Sequence, residues 1–200
     1  SGAMRVAFFG GFVFIFAWFG TVFLASLYLQ QHLGMPAALA GLVFLPAALG
    51  SFVGNLSSGP LTNRFGPRVP AALGMTLLLL GLVGFAVSAP ADSAILIGAF
   101  LAVSGIGGSI ATPSLAGVVL ASAPAGQAGI ASAVANTYRQ VGGAFAIAVF
   151  GVLVSGGLGF ITGLQVSAGI AAVLALVAAL LALTLPGPAP ARRTEGSTSR

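Results

Sequence analysis

Six long apolar runs alternate along the chain with short clusters of Gly, Pro and polar residues. Runs of roughly 20 apolar residues cross a bilayer as helices, and they can be cut here at about 6–29, 37–57, 70–89, 94–119, 128–154 and 160–185. The breaks run from Gln30 to Pro36, Ser58 to Pro70, Ala89 to Ser93, Ala123 to Gln127 and Ser155 to Gly159. Each carries Gly or Pro punctuation. The pattern predicts an all-α, polytopic membrane protein: a short start at 1–5, then six transmembrane helices in one bundle over 6–185. Six crossings put both ends of the chain on one side. From Pro186 to Arg200 apolar residues are too few to fold alone, so 186–200 reads as a disordered tail.

Composition sharpens this picture. Hydrophobic residues make up 58% of the chain and charged ones 4%, and the mean hydropathy is +1.12. A soluble domain carries about 25% charged residues, so most soluble enzymes are excluded. The net charge of +5 comes from arginines scattered singly or in pairs, whereas a nucleic-acid surface gathers them on one face. They read as topology signals, since Arg is enriched on cytoplasmic loops. Arg5 precedes the first run, Arg64 and Arg68 separate the second from the third, and Arg192, Arg193 and Arg200 follow the sixth. The opposite loops hold Asp92 and no Arg. Both termini are therefore expected in the cytoplasm and the turns at His32, Asp92 and Gly157 outside. Abundant Ala, Gly and Val with Arg in place of Lys suit a high-GC bacterial genome, hence a bacterial inner membrane.

Enzyme chemistry finds no footing. There is no Cys, and a single His cannot build a zinc site. An intramembrane serine protease needs a helical His partner for its nucleophile, and His32 lies in a break. It serves as an ordinary interfacial residue or in gating or a proton relay. Gly105-Ile106-Gly107-Gly108-Ser109-Ile110 lacks the third glycine and the preceding strand of a nucleotide fingerprint. The opening Ser1-Gly2-Ala3-Met4 precedes a run too long for a secretory signal, and the chain reads as starting part-way through a larger protein.

Several positions inside the runs carry information. Helices in lipid approach closely through small residues four apart, as at Gly50, Gly54 and Ser58, at Gly105 with Ser109, at Gly108 with Thr112, and at Gly143 and Gly151 around Ile147. Such faces either pack statically or slide during a transport cycle. Pro46 and Pro113 add kinks compatible with both. Phe9, Phe12, Phe16, Phe19 and Phe23 share one helical stripe, serving as packing surface or as the aromatic wall of a cavity for flat or cationic organic molecules. Arg139 is the one charge within a run, where insertion costs about 2.5–3.5 kcal/mol. It either snorkels to the cytoplasmic edge or lines a polar cavity with Asn136, Gln140 and Gly143. No Asp or Glu lies in any run, so a proton-driven cycle would need its titrating carboxylate from elsewhere.

The segment Gly59-Pro60-Leu61-Thr62-Asn63-Arg64-Phe65-Gly66-Pro67-Arg68 resembles the G-x-L-x-D-R-x-G-x-R cytoplasmic loop between the second and third helices of a major facilitator superfamily half. The signature positions Gly59, Leu61, Arg64, Gly66 and Arg68 match. Asn63 replaces the usual Asp and could still cap a helix. The stretch from Ala123 to Phe145, with its Gly-rich start, Asn136 and Arg139-Gln140-Val141-Gly142-Gly143, is similar to the penultimate span of the fourteen-span drug:proton antiporters of the EmrB/QacA type.

The resemblance implies the carboxy-terminal six-helix half of such a transporter. Spans one and four would then line the central cavity, two and five would flank it at the face between halves, and three and six would meet lipid. Phe12, Phe16, Phe19, Phe23, Asn55, Ser109, Thr112, Asn136, Arg139, Gln140 and Gly143 are the candidates for the translocation path or the inter-half face. The expected function is efflux of small hydrophobic or cationic drugs by alternating access, driven by a proton gradient, with no cofactor or metal. Its partners would be the lipid bilayer and the missing amino-terminal half, and no nucleic acid. Gln30, Asn55, Ser109 and Thr112 are sparse polar lining for sugars or peptides, although another small metabolite is a possible cargo. A different class of reading is a self-contained six-span protein that homodimerises as a pore or scaffold.

Overall fold

The computed structural model describes residues 2–124, 126–157 and 159–187. Every regular element among them is helical: α1 (Gly2–Leu27), α2 (Ala37–Val43), α3 (Leu45–Phe65), α4 (Arg68–Ser88), α5 (Ala94–Ser122), α6 (Ala128–Ser155) and α7 (Phe160–Ala182). A π turn at Tyr28–His32 ends α1, and a 3-10 turn at Ala89–Ala91 ends α4. Since α2 and α3 form one interrupted crossing, six segments are long and apolar enough to span a membrane. The chain is a six-helix, multi-pass membrane protein.

Pro46 explains the interruption. It has no N–H for the carbonyl of Leu42, and at Phe44 the backbone tightens so that its N–H meets Gly41 O at 3.1 Å. Several element ends depart from the hydrophobic pattern. The start expected at 1–5 is largely helical, with Arg5 inside α1, and Gln30 to His32 continue that helix as a wide turn instead of opening a loop. The break expected over 58–70 shrinks to Gly66 and Pro67, because α3 runs through Pro60 to Phe65. In a low-dielectric surrounding a backbone keeps its internal hydrogen bonds wherever it can, and polar side chains at a span's end do not unwind it. Of the tail expected at 186–200, residues 188–200 lie outside the described residues, as do Ser1, Ala125 and Leu158.

Helix α5 is the axis of the bundle, packed between α3 and α4 through small residues. Gly50, Gly54 and Ser58 of α3 meet Ile106, Ser109 and Ile110 of α5. A methyl group on Gly54 would stand 2.8 Å from the Ile106 carbonyl, and Ser58 Oγ donates to Ile110 O at 2.8 Å. Across α5, Gly107 faces Gly74, where a methyl group would stand 2.5 Å from the Gly74 carbonyl and 2.6 Å from Leu78 N. Gly81 lies against Ser104 in the same seam. Helix α1 packs on α5 through Gly10 against Leu115 and Gly108 against Phe14. The small-residue faces read from the sequence are thus contacts between helices, against backbone at Gly54 and Gly105 and against aromatic rings at Gly108 and Gly143.

One end of the bundle is tied by polar groups. Tyr28 Oη donates to Ala89 O at 2.7 Å, and His32 Nε2 lies 2.8 Å from Asp92 Oδ1. The His32 ring stacks on Phe160 with centroids 5.8 Å apart. Together these join the ends of α1, α4 and α7. The opposite end carries Arg5, Arg64 and Arg68.

Burial is uneven. In the most apolar windows, 17% of the α2–α3 crossing and 22% of α6 are buried, against 44–56% in the other four.

The Gly107 contact makes a clear expectation. Gly107→Val should lower stability by about 1–3 kcal/mol through overpacking against backbone that cannot yield, whereas Gly117→Ala, which meets open space, should leave it unchanged. Thermal unfolding of the purified protein in detergent, read by tryptophan fluorescence, would compare the two.

Candidate functional site

The expected signature loop is mostly helix. Gly59, Leu61, Asn63 and Arg64 ride on the last turns of α3, Gly66 closes it, and Arg68 opens α4. Asn63 therefore caps no helix start; Pro67 occupies the N-cap of α4 and offers no side-chain cap. Gly66 takes φ +71°, a conformation that a side chain would strain, and its N–H bonds to Thr62 O at 2.9 Å. Helix α5 holds this corner, since Ser114 Oγ donates to Pro67 O at 3.0 Å. Arg64 lies over the Phe65 ring with its guanidinium carbon 5.2 Å from the centroid, and both arginines of the corner are exposed.

The phenylalanine stripe of α1 faces α6. Phe12 and Phe16 stack with centroids 5.9 Å apart, and Phe16, nearly fully buried, meets Phe150 edge-on at 5.1 Å. Phe19 lies beside Gly143 and Phe23 beside Gly151. Most of the stripe is thus helix packing, while Phe19 keeps 45% of its surface exposed. Tyr138, not singled out from the sequence, joins this seam, with its ring 5.8 Å from Phe12 and 6.0 Å from Phe8. A polar-tipped ring inside an apolar run was the available signal.

The polar candidates separate. Ser109 is buried in the α3–α5 contact rather than on an open wall. Asn55, Asn136 and Gln140 are exposed on the two least buried crossings. Thr112 donates to Gly108 O at 2.7 Å and borders, with Arg139, a small cavity of about 40 Å³ between α1, α5 and α6. Arg139 is half-buried there, and its Nε has no hydrogen-bond partner among the described residues. It does not share an open face with Asn136 and Gln140. Next to this cavity a larger cleft of about 620 Å³ lies between α1 and α6, lined by Arg5, Phe8, Phe9, Phe12, Val134 and Tyr138. No group of three or more His, Cys, Asp or Glu able to hold a metal occurs among the described residues.

A polytopic helical membrane protein is the class this architecture defines, and sequence comparison supplies the family. Residues 2–147 match the model of the Major Facilitator Superfamily. The chain belongs to that superfamily, which consists of transporters, not enzymes. Among its relatives, the "Drug efflux pump JefA" of Mycobacterium tuberculosis is 32% identical over 149 residues, covering 74% of this chain and 29% of that protein. The "Tetracenomycin C resistance and export protein" of Streptomyces glaucescens is 32% identical over 145 residues, 72% of this chain and 27% of that protein. The chain thus spans under a third of the length of these relatives. Among solved structures, the proton:xylose symporter XylE superposes with a TM-score of 0.75 at 20% identity over 92% of this chain and 44% of XylE. That likeness carries the fold.

Ser114→Ala should free the corner between α3 and α4. Hydrogen exchange over residues 66–70 is expected to quicken while the α4–α5 contact keeps its protection, and unchanged exchange would show that Gly66 alone fixes the corner.

Proposed function

We propose that this chain is one six-helix half of a drug-efflux transporter of the plasma membrane, working by alternating access against a second bundle. The observation that carries the reading is the poor burial of the α2–α3 crossing and of α6. Both are apolar yet bear exposed Asn55, Asn136 and Gln140, which suits a surface shared with another bundle and an aqueous path better than lipid alone. Rocking of one bundle on the other around a midplane site then moves the cargo. The efflux relatives favour export of organic compounds, and the arginine end is assigned to the cytoplasm by the positive-inside rule. Proton entry is the proposed driving force. Among the described residues Asp92 is the one carboxylate, and it sits in the turn between α4 and α5, so the coupling acid is assigned to the other bundle.

Two experiments test this. In cells expressing the whole transporter, Arg139→Ala at normal surface level should cut dye export several-fold; undiminished export would leave Arg139 a snorkelling residue. Reporter fusions at Gly66 and Asp92 should signal the cytoplasm and the exterior respectively, and the reverse result would overturn the assigned orientation.

A further inference from the structure

We propose that the gap between residues 5–12 of α1 and residues 134–139 of α6 binds an amphiphilic aromatic anion, a flat ring body bearing a carboxylate, with Arg5 and Arg139 on either side of the Phe8–Tyr138 pair. That this occupant is cargo rests on the export reading above.

Three hollows follow one another around the start of α1. The first, about 510 Å³, lies between α1 and α7 and includes Arg5, Phe9 and Thr184. Arg5 and Phe9 also line the 620 Å³ cleft toward α6. Phe8 and Tyr138 are common to that cleft and to the small cavity at Arg139 and Thr112 on the α5 side. The first two hollows thus adjoin at Arg5 and Phe9, and the second and third adjoin at Phe8 and Tyr138, whose ring centroids are 6.0 Å apart.

Charge decides what such a path accepts. Asp92 is the one carboxylate among the described residues and is engaged by His32 at the other end of α1, roughly 40 Å away at 1.5 Å per residue. Neither arginine has a counter-ion among these residues. An unpaired guanidinium is costly at the half-buried Arg139, and a carboxylate offers a bidentate acceptor to a guanidinium there or at the exposed Arg5. A cationic ligand would meet two like charges. The rings of Phe8, Phe12 and Tyr138 supply offset or edge-on faces for an aromatic body. The expected cargo, hydrophobic or cationic, came from the phenylalanine stripe and the family resemblance; at this gap the two arginines favour an anion.

The test uses the full-length transporter in phosphatidylcholine nanodiscs. Equilibrium dialysis would compare saturable binding of anthracene-9-carboxylate with that of its trimethylammonium-methyl counterpart, which has the same ring and opposite charge. The carboxylate should bind about tenfold more tightly, the scale of one charge-assisted hydrogen bond. Arg5→Gln and Arg139→Gln should each remove most of that preference, whereas Arg139→Lys should retain much of it. Arg5 is exposed at the start of α1, so its replacement leaves the bundle folded even where the Arg139 variant does not. Equal affinity for both probes, or binding indifferent to Arg5 and Arg139, would overturn the proposal. So would abolition of binding by phosphatidylglycerol nanodiscs together with retention of that lipid in native mass spectra, which would make a lipid the occupant. Arginine-dependent binding in a protein that exports neither probe from cells would leave the anion site standing and overturn the export reading instead.

Discussion

The close approach of α5 to both α3 and α4 is the constraint on which the rest of the bundle depends. Lipid gives helices no hydrophobic reason to associate, so their contact relies on dispersion and on backbones near enough to touch. At Gly54 and Gly107 the facing helix leaves no room for a methyl group. Ser58 and Ser114 reinforce these contacts with hydrogen bonds to Ile110 O and Pro67 O. With α5 held this way, the corner at Gly66 is fixed, and the signature arginines are presented from one end of the molecule.

A different chemistry governs the seam between α1 and α6. Its contacts are aromatic rings, from Phe8 and Tyr138 at the arginine end to Phe16 and Phe150 deeper in. Deeper in, rings fit against glycines of the facing helix, as Phe150 does at Gly20 and Phe12 at Gly142, while hollows remain at Arg5 and Arg139. At the other end Tyr28, His32, Asp92 and Phe160 close the bundle with short polar and stacked contacts. The molecule is thus tightly packed on the α5 side and hollow between residues 5–12 of α1 and residues 134–139 of α6.

Much of this was legible residue by residue. The small residues at Gly50, Gly54 and Ser58 sit four apart, and four apart on a helix means one face, so their contact with α5 could be read locally. The same logic placed Phe12, Phe16, Phe19 and Phe23 on one side of α1. Pro60 misled, because a proline near a span's end signals a break in water more strongly than it does where the backbone has no other hydrogen-bond partner. His32 and Asp92 gave no joint signal, since no periodicity links residues sixty positions apart, and Tyr138 was overshadowed by the charge next to it.

The sequence by itself determined that the chain lies in a membrane, how many times it crosses, which residues share a helical face and which superfamily it resembles. These are one-dimensional properties, set by apolar run length, by the 3.6-residue period and by local motifs. Only the tertiary structure decided that Ser109 is buried packing, that Arg139 turns toward α1 and α5 while Asn136 and Gln140 stay exposed, and that Arg5 and Arg139 flank one aromatic gap. A residue's neighbours across a bundle depend on how far apart side-chain volumes hold the helices, and that distance is set by pairs of faces the chain brings together only on folding.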